Sequence, residues 1–150
     1  MISADVRVTY DSTAQLKNGF IEIAQAAITK IVFDGEATAK QAVTDYNAID
    51  TGALKNSIYA VTPEASTYAT ARSAAKSARP DAEIFPQLDL GGSGGRAVGA
   101  LAVGVAYAVY VNFGTAFMPA RPFWTRAVDQ ITETFKLVIG PMMRKRKMGK

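Results

Sequence analysis

Four groups of residues in this chain could do chemistry. Asp50-Thr51-Gly52, with Ala48-Ile49 before it and Ala53 after it, matches the active-site tripeptide of aspartic proteases. That reaction needs two carboxylates sharing one proton, which a chain of 150 residues supplies only by pairing with a second copy. A long helical pattern precedes the tripeptide, whereas proteases of this kind and size are nearly all β, so the competing reading is a helix-capping turn. The second group, Gly92-Ser93-Gly94-Gly95-Arg96-Ala97, spells the G-x-G-x-x-A of a dinucleotide site. Such a site needs a strand before it and a helix after it; here a glycine-broken strand follows, and the string reads as a linker.

The third group is aromatic: Tyr107, Tyr110, Phe113, Phe117, Phe123 and Trp124. Such rings can stack nucleic-acid bases, but they more often build a core or a subunit interface. Arg121 lies just before Pro122 and two residues after Pro119, so it is rigidly presented and suited to pairing with a carboxylate on a neighbouring subunit. The fourth group is Arg144, Lys145, Arg146, Lys147 and Lys150, a basic run without an acid. It suits contact with DNA or an acidic partner, and equally suits a solubilising, frayed end. Without those five, the other residues hold 12 basic against 13 acidic groups, so the basic excess of the chain belongs to its tail.

Composition narrows the chemistry. The chain has no histidine and no cysteine, which excludes disulfides, thiolate chemistry, histidine bases and the usual zinc sites. No catalytic, cofactor-binding or metal-binding residue is expected, and no enzyme activity. MISADVRVTYDS has no apolar core and is not expected to be a signal peptide; no run of about 18 apolar residues predicts a membrane span.

The elements that must position these groups follow from periodicity. Val6, Val8 and Tyr10 suggest a short edge strand over residues 3–10. Leu16, Phe20, Ile23, Ala27 and Ile31 recur at helical spacing, with a kink or break at Asp34-Gly35. The helix resumes over 36–46 with Ala39, Ala42, Val43 and Tyr46 inward. Residues 58–61 read as a strand ended by Pro63. Residues 64–96 read as a long, partly mobile excursion, with a weak alanine-rich helix over 66–78. Residues 96–105 alternate Val98, Ala100, Ala102 against Ala97, Leu101, Val103, a central strand approached closely at Gly99 and Gly104. The run from Val105 to Gly114 fits a short helix stopped by Gly114 or a strand equally well. A final helix over 122–139 turns Trp124, Ala127, Val128, Ile131, Phe135 and Val138 inward, and Gly140-Pro141 is expected to end it. This order predicts an α+β fold: a small, mostly antiparallel sheet against a long N-terminal and a C-terminal helix, with a long flexible middle loop. One domain over 1–143 and a basic tail over 144–150 are expected.

Two blocks carry a resemblance. Tyr107-Ala108, Tyr110-Val111, Phe113-Gly114-Thr115 and Met118-Pro119-Ala120-Arg121-Pro122-Phe123, with Asp50-Thr51-Gly52-Ala53-Leu54-Lys55-Asn56-Ser57-Ile58 upstream, resemble the HK97 gene-product-10-like proteins of tailed bacteriophages. The family often carries a glutamate where this chain has Asn112. The resemblance covers about the last two-thirds of the chain, apart from the middle loop. It implies a structural virion protein, a homo-oligomeric ring of six or twelve copies at the head–tail junction. Its partners would be the head-closure or connector ring, the tail terminator or tube, and the genomic double-stranded DNA passing through the lumen. It implies synthesis in the bacterial cytoplasm and no membrane partner. The tail terminator is the neighbouring role of related size. The aromatic set with Arg121 is then the expected interface, the middle loop and basic tail the expected contacts to other rings or DNA, and Asp50, Thr51, Gly52, Gly114, Pro119 and Pro122 the turns.

Overall fold

A computed structural model of the chain describes the backbone of residues 3–8, 14–47, 52–91 and 96–148. The order is β1 (Ser3–Val8), α1 (Ala14–Asp45), α2 (Ala53–Asn56), β2 (Ile58–Val61), α3 (Tyr68–Ala78), β3 (Ala97–Val103), α4 (Ala108–Phe113) and α5 (Phe123–Met148). This is an α+β fold. The sheet runs β1-β3-β2 and both pairings are antiparallel, with Arg7 opposite Val98 and Ala60 opposite Leu101.

The alternation of β3 sorts its residues onto two buried faces. Ala97, Leu101 and Val103 meet α1 and α5, together with Ile58 and Ala60 of β2. Val98, Ala100 and Ala102 meet Tyr59, Val61, Ala71 and Leu90 on the opposite face. At Gly99 the strand approaches α1 closely, since a Cβ there would lie 2.8 Å from Ile28 Cγ2. Gly104 is crowded instead by Ile84 and Ser57, so only the first of the two glycines meets a helix. Past the end of β2, the Gln25 side chain takes over the ladder. Its Nε2 donates to the Val98 carbonyl and its Oε1 accepts from the Val98 N–H, each at 2.9 Å.

The helix α1 continues through Gly35, so of the kink or break expected there the break does not occur. Gly35 sits where α5 crosses, and a Cβ there would fall 2.5 Å from Ile131 Cδ1. The inward stripe is Ala24, Ile28, Ile31, Val32, Ala39, Ala42 and Val43, while Ile23 and Tyr46, expected inside, are exposed. Long helices present more than one stripe to a curved core, and a four-three count places such borderline positions poorly. At the far end Arg126 of α5 pairs with Asp45 at 2.9 Å. The hydrogen bond from Gln41, then the contact with Arg126, holds the Asp45 carboxyl below its ordinary value. The unfolded chain therefore takes up this proton first, and the contribution of the pair is lost as the pH falls through the lowered value.

Two further expectations change. The helix α5 passes through Pro141 rather than ending at Gly140. Proline in a helix costs about 3 kcal/mol, but Gly140 has no Cβ to clash with the ring that follows it. Ile139, not Val138, completes its buried stripe. The middle segment holds the alanine-rich helix as α3, and Ala71 lets it lie close to the sheet. The run 79–91 is pinned to it: Tyr59 Oη accepts from the Leu88 N–H at 2.9 Å, and Tyr68 Oη donates to the Phe85 carbonyl at 2.7 Å. The two rings meet edge-on at 5.0 Å. Burial pushes the Tyr59 phenol up, ahead of the opposing effect of the Leu88 bond. Through Ala71 and Leu90 this segment covers the second face of the sheet.

Candidate functional site

The helix-or-strand ambiguity of the run after Val105 resolves as helix. The short helix α4 ends at Gly114, whose φ of 77° favours glycine and whose N–H donates to the Tyr110 carbonyl at 2.8 Å. A Cβ on Gly114 would lie 2.7 Å from the Ala120 nitrogen and 3.0 Å from the Met118 oxygen, because the chain doubles back here. The returning loop is braced along its length. Thr115 N–H donates to the Met118 carbonyl at 2.8 Å, Phe117 N–H to Thr115 Oγ1 at 3.2 Å, and Arg121 N–H to the Val111 carbonyl at 2.9 Å. Pro119 and Pro122 have no N–H to satisfy, and the Pro122 carbonyl accepts the Arg126 N–H as α5 begins. The result is a hook over residues 114–121 held at both ends.

The aromatic set divides across this hook. Phe123 is fully buried and Trp124 is 6% exposed, with their rings 6.4 Å apart and steeply inclined. Both belong to the core of the chain itself, so the expectation of an interface role for them is corrected: the first turn of α5 faces α1. Tyr107 is half-buried against the same core. Tyr110, Phe113 and Phe117 point outward and are 59%, 69% and 99% exposed. The half-buried Arg121 forms no ion pair among the described residues. Between Arg96 and Arg126 it is the one charged residue. The outward face of α4 and the hook is thus aromatic and nearly uncharged.

Asn112 fixes where the hook returns. It is 2% exposed, and its Oδ1 accepts the N–H groups of Trp124 and Thr125 at 3.0 and 3.2 Å. Its Nδ2 donates to Thr125 Oγ1 at 3.2 Å. The preceding Arg121 and Pro122 offer no capping side chain, so Asn112 caps α5 from another helix. What the position requires is an acceptor, not a charge. Asn112 was the sequence signal available here, as the lone non-aromatic polar residue between Val105 and Phe113. Its partner twelve residues on was not legible.

The other expected groups divide differently. Gly52, at φ 85°, is the N-cap residue of α2, with its carbonyl accepting from Asn56 at 2.9 Å. Asp50, Thr51, the Gly92–Gly95 run and Lys150 lie outside the described residues, as do the side chains of Arg144, Lys145, Arg146 and Lys147. Among the described residues no group of acids gathers that could hold a metal ion, and no helix is long and apolar enough to cross a membrane. Compared with family models, curated proteins and solved structures, the chain matches none.

Proposed function

We propose that this is a non-enzymatic virion protein of a long-tailed double-stranded DNA phage, forming a ring at the head–tail junction that joins the filled head to the tail. The observation that carries an assembly role is the braced hook, which holds Phe117 almost wholly in solvent beside exposed Phe113 and Tyr110. Leaving large rings in water has no benefit to a lone subunit, while a partner that covers them gains about 25 cal/mol for each Å² of apolar surface buried. A hydrogen-bonded hook also loses little freedom on docking. The phage setting rests on the resemblance of the two sequence blocks. In a closed ring every subunit buries the same surface and the lumen lets DNA pass.

The test is electron microscopy of lysates from a parent genome with an early stop codon in this gene. DNA-filled heads beside free tails of regular length are expected, with joining restored by added protein. Complete particles would overturn the reading, and irregular tails would reassign the protein to the tail terminator.

A further inference from the structure

We infer that the hook of one copy, through Phe117 and Arg121, docks into a groove beside α1 of a second copy, so that the chain assembles head to tail. This rests on the ring reading above and names the surfaces that would join. The groove, of about 620 Å³, lies between the N-terminal half of α1 and the turn after β2. Ile21, Ala26 and Pro63 give it apolar walls, and Glu22, Glu64 and Arg96 line it as well. Two carboxylates against one guanidinium leave it net acidic by one charge. Neither Glu22 nor Glu64 has an ion-pair partner among the described residues.

The hook is the complement in shape and charge: a fully exposed ring on a braced tip, followed four residues later by an arginine, in a stretch with no other charge. An apolar wall takes the ring, and the acidic rim takes the guanidinium, which can bond a carboxylate with two parallel N–H groups.

Within one chain the two surfaces cannot meet. Arg96, at the groove, immediately precedes β3, and the hook follows the opposite end of that strand. The seven residues of β3 span about 23 Å at 3.3 Å per residue. The helix α1 separates them in the same sense, by about 30 Å between Gln25 and Asp45 at 1.5 Å per residue. Gln25 lines the groove and holds the start of β3, while Asp45 holds the base of α5, next to the hook. Surfaces at opposite ends of one subunit make a heterologous contact, which closes into a ring or runs on as a filament. A nucleic-acid partner fits the hook poorly, because phosphate binding needs many cations and this surface has one.

The experiment uses the purified full-length chain and light scattering after size exclusion. Wild type is expected to be oligomeric. Arg121→Glu, and separately Glu22→Arg with Glu64→Arg, are each expected to shift it to a monomer that still melts cooperatively, since Glu22 and Glu64 are exposed and Arg121 is only half-buried. Combining the three substitutions in one chain restores opposite charges and is expected to restore the oligomer. As a second variant pair, Phe117→Ser with Arg121→Ser, mixed with the groove double variant, should give a one-to-one dimer and nothing larger, because one intact hook finds one intact groove. An oligomer indifferent to these changes, or no rescue by the charge swap, overturns the docking while leaving the ring reading intact. A monomeric wild type overturns both.

Discussion

Phe117 and Phe123 are six residues apart and end in opposite surroundings, one 99% exposed and the other fully buried. Between them lie the returning arm of the hook and the two prolines. On the buried side, Phe123, Trp124 and Ile131 pack against α1 and β3, and each gains from removal of apolar area from water. On the exposed side, the hook is held by backbone hydrogen bonds and a glycine turn rather than by its rings. The contrast teaches that this short stretch separates the rings that stabilise the fold from the rings that it leaves in solvent. Asn112 joins the two regions, since it belongs to α4 and caps α5.

The sharpest way to break the comparison is to truncate a ring on each side. Phe123→Ala should destabilise the fold by about 3–5 kcal/mol, read as a drop in the urea midpoint, because it empties a packed site. Equal tolerance of Phe123→Ala and Phe117→Ser would erase the distinction. Asn112→Ala is expected next, at about 1–3 kcal/mol, since the buried Trp124 N–H loses its acceptor. Asn112→Asp keeps an acceptor there and should lose clearly less; an equal loss would show that the amide donor matters as much as the cap. The smallest effect on stability belongs to Phe117→Ser, within about 0.5 kcal/mol by thermal melting. Its consequence should appear in assembly, as fewer infectious particles when the variant replaces the wild-type gene.

Much of the fold was legible because it depends on local rules. The two-residue alternation of β3 named both of its buried faces, and the edge position of β1 followed from a short, weakly alternating strand. Gly114 was recognisable as a stop, though the run before it fitted either period. Less of the site could be read. Six rings within eighteen residues look alike to a composition argument, and only the crossing of α5 over α1 decides that Phe123 and Trp124 go inward while Phe113 and Phe117 stay out. The middle segment misled for the opposite reason: alanines make a weak helix signal, yet small side chains are what allow α3 to lie against the sheet.

The sequence by itself determined the α+β class, the strand that must be central, the absence of thiol and imidazole chemistry, and the glycine that turns the hook. Those are consequences of residue type, period and backbone freedom, which need no distant partner. Tertiary structure decided that α1 continues through Gly35, that Asn112 caps a helix it does not belong to, that the middle segment closes the core, and which rings face solvent. Each of those depends on contacts between residues distant in sequence, and no local pattern carries them.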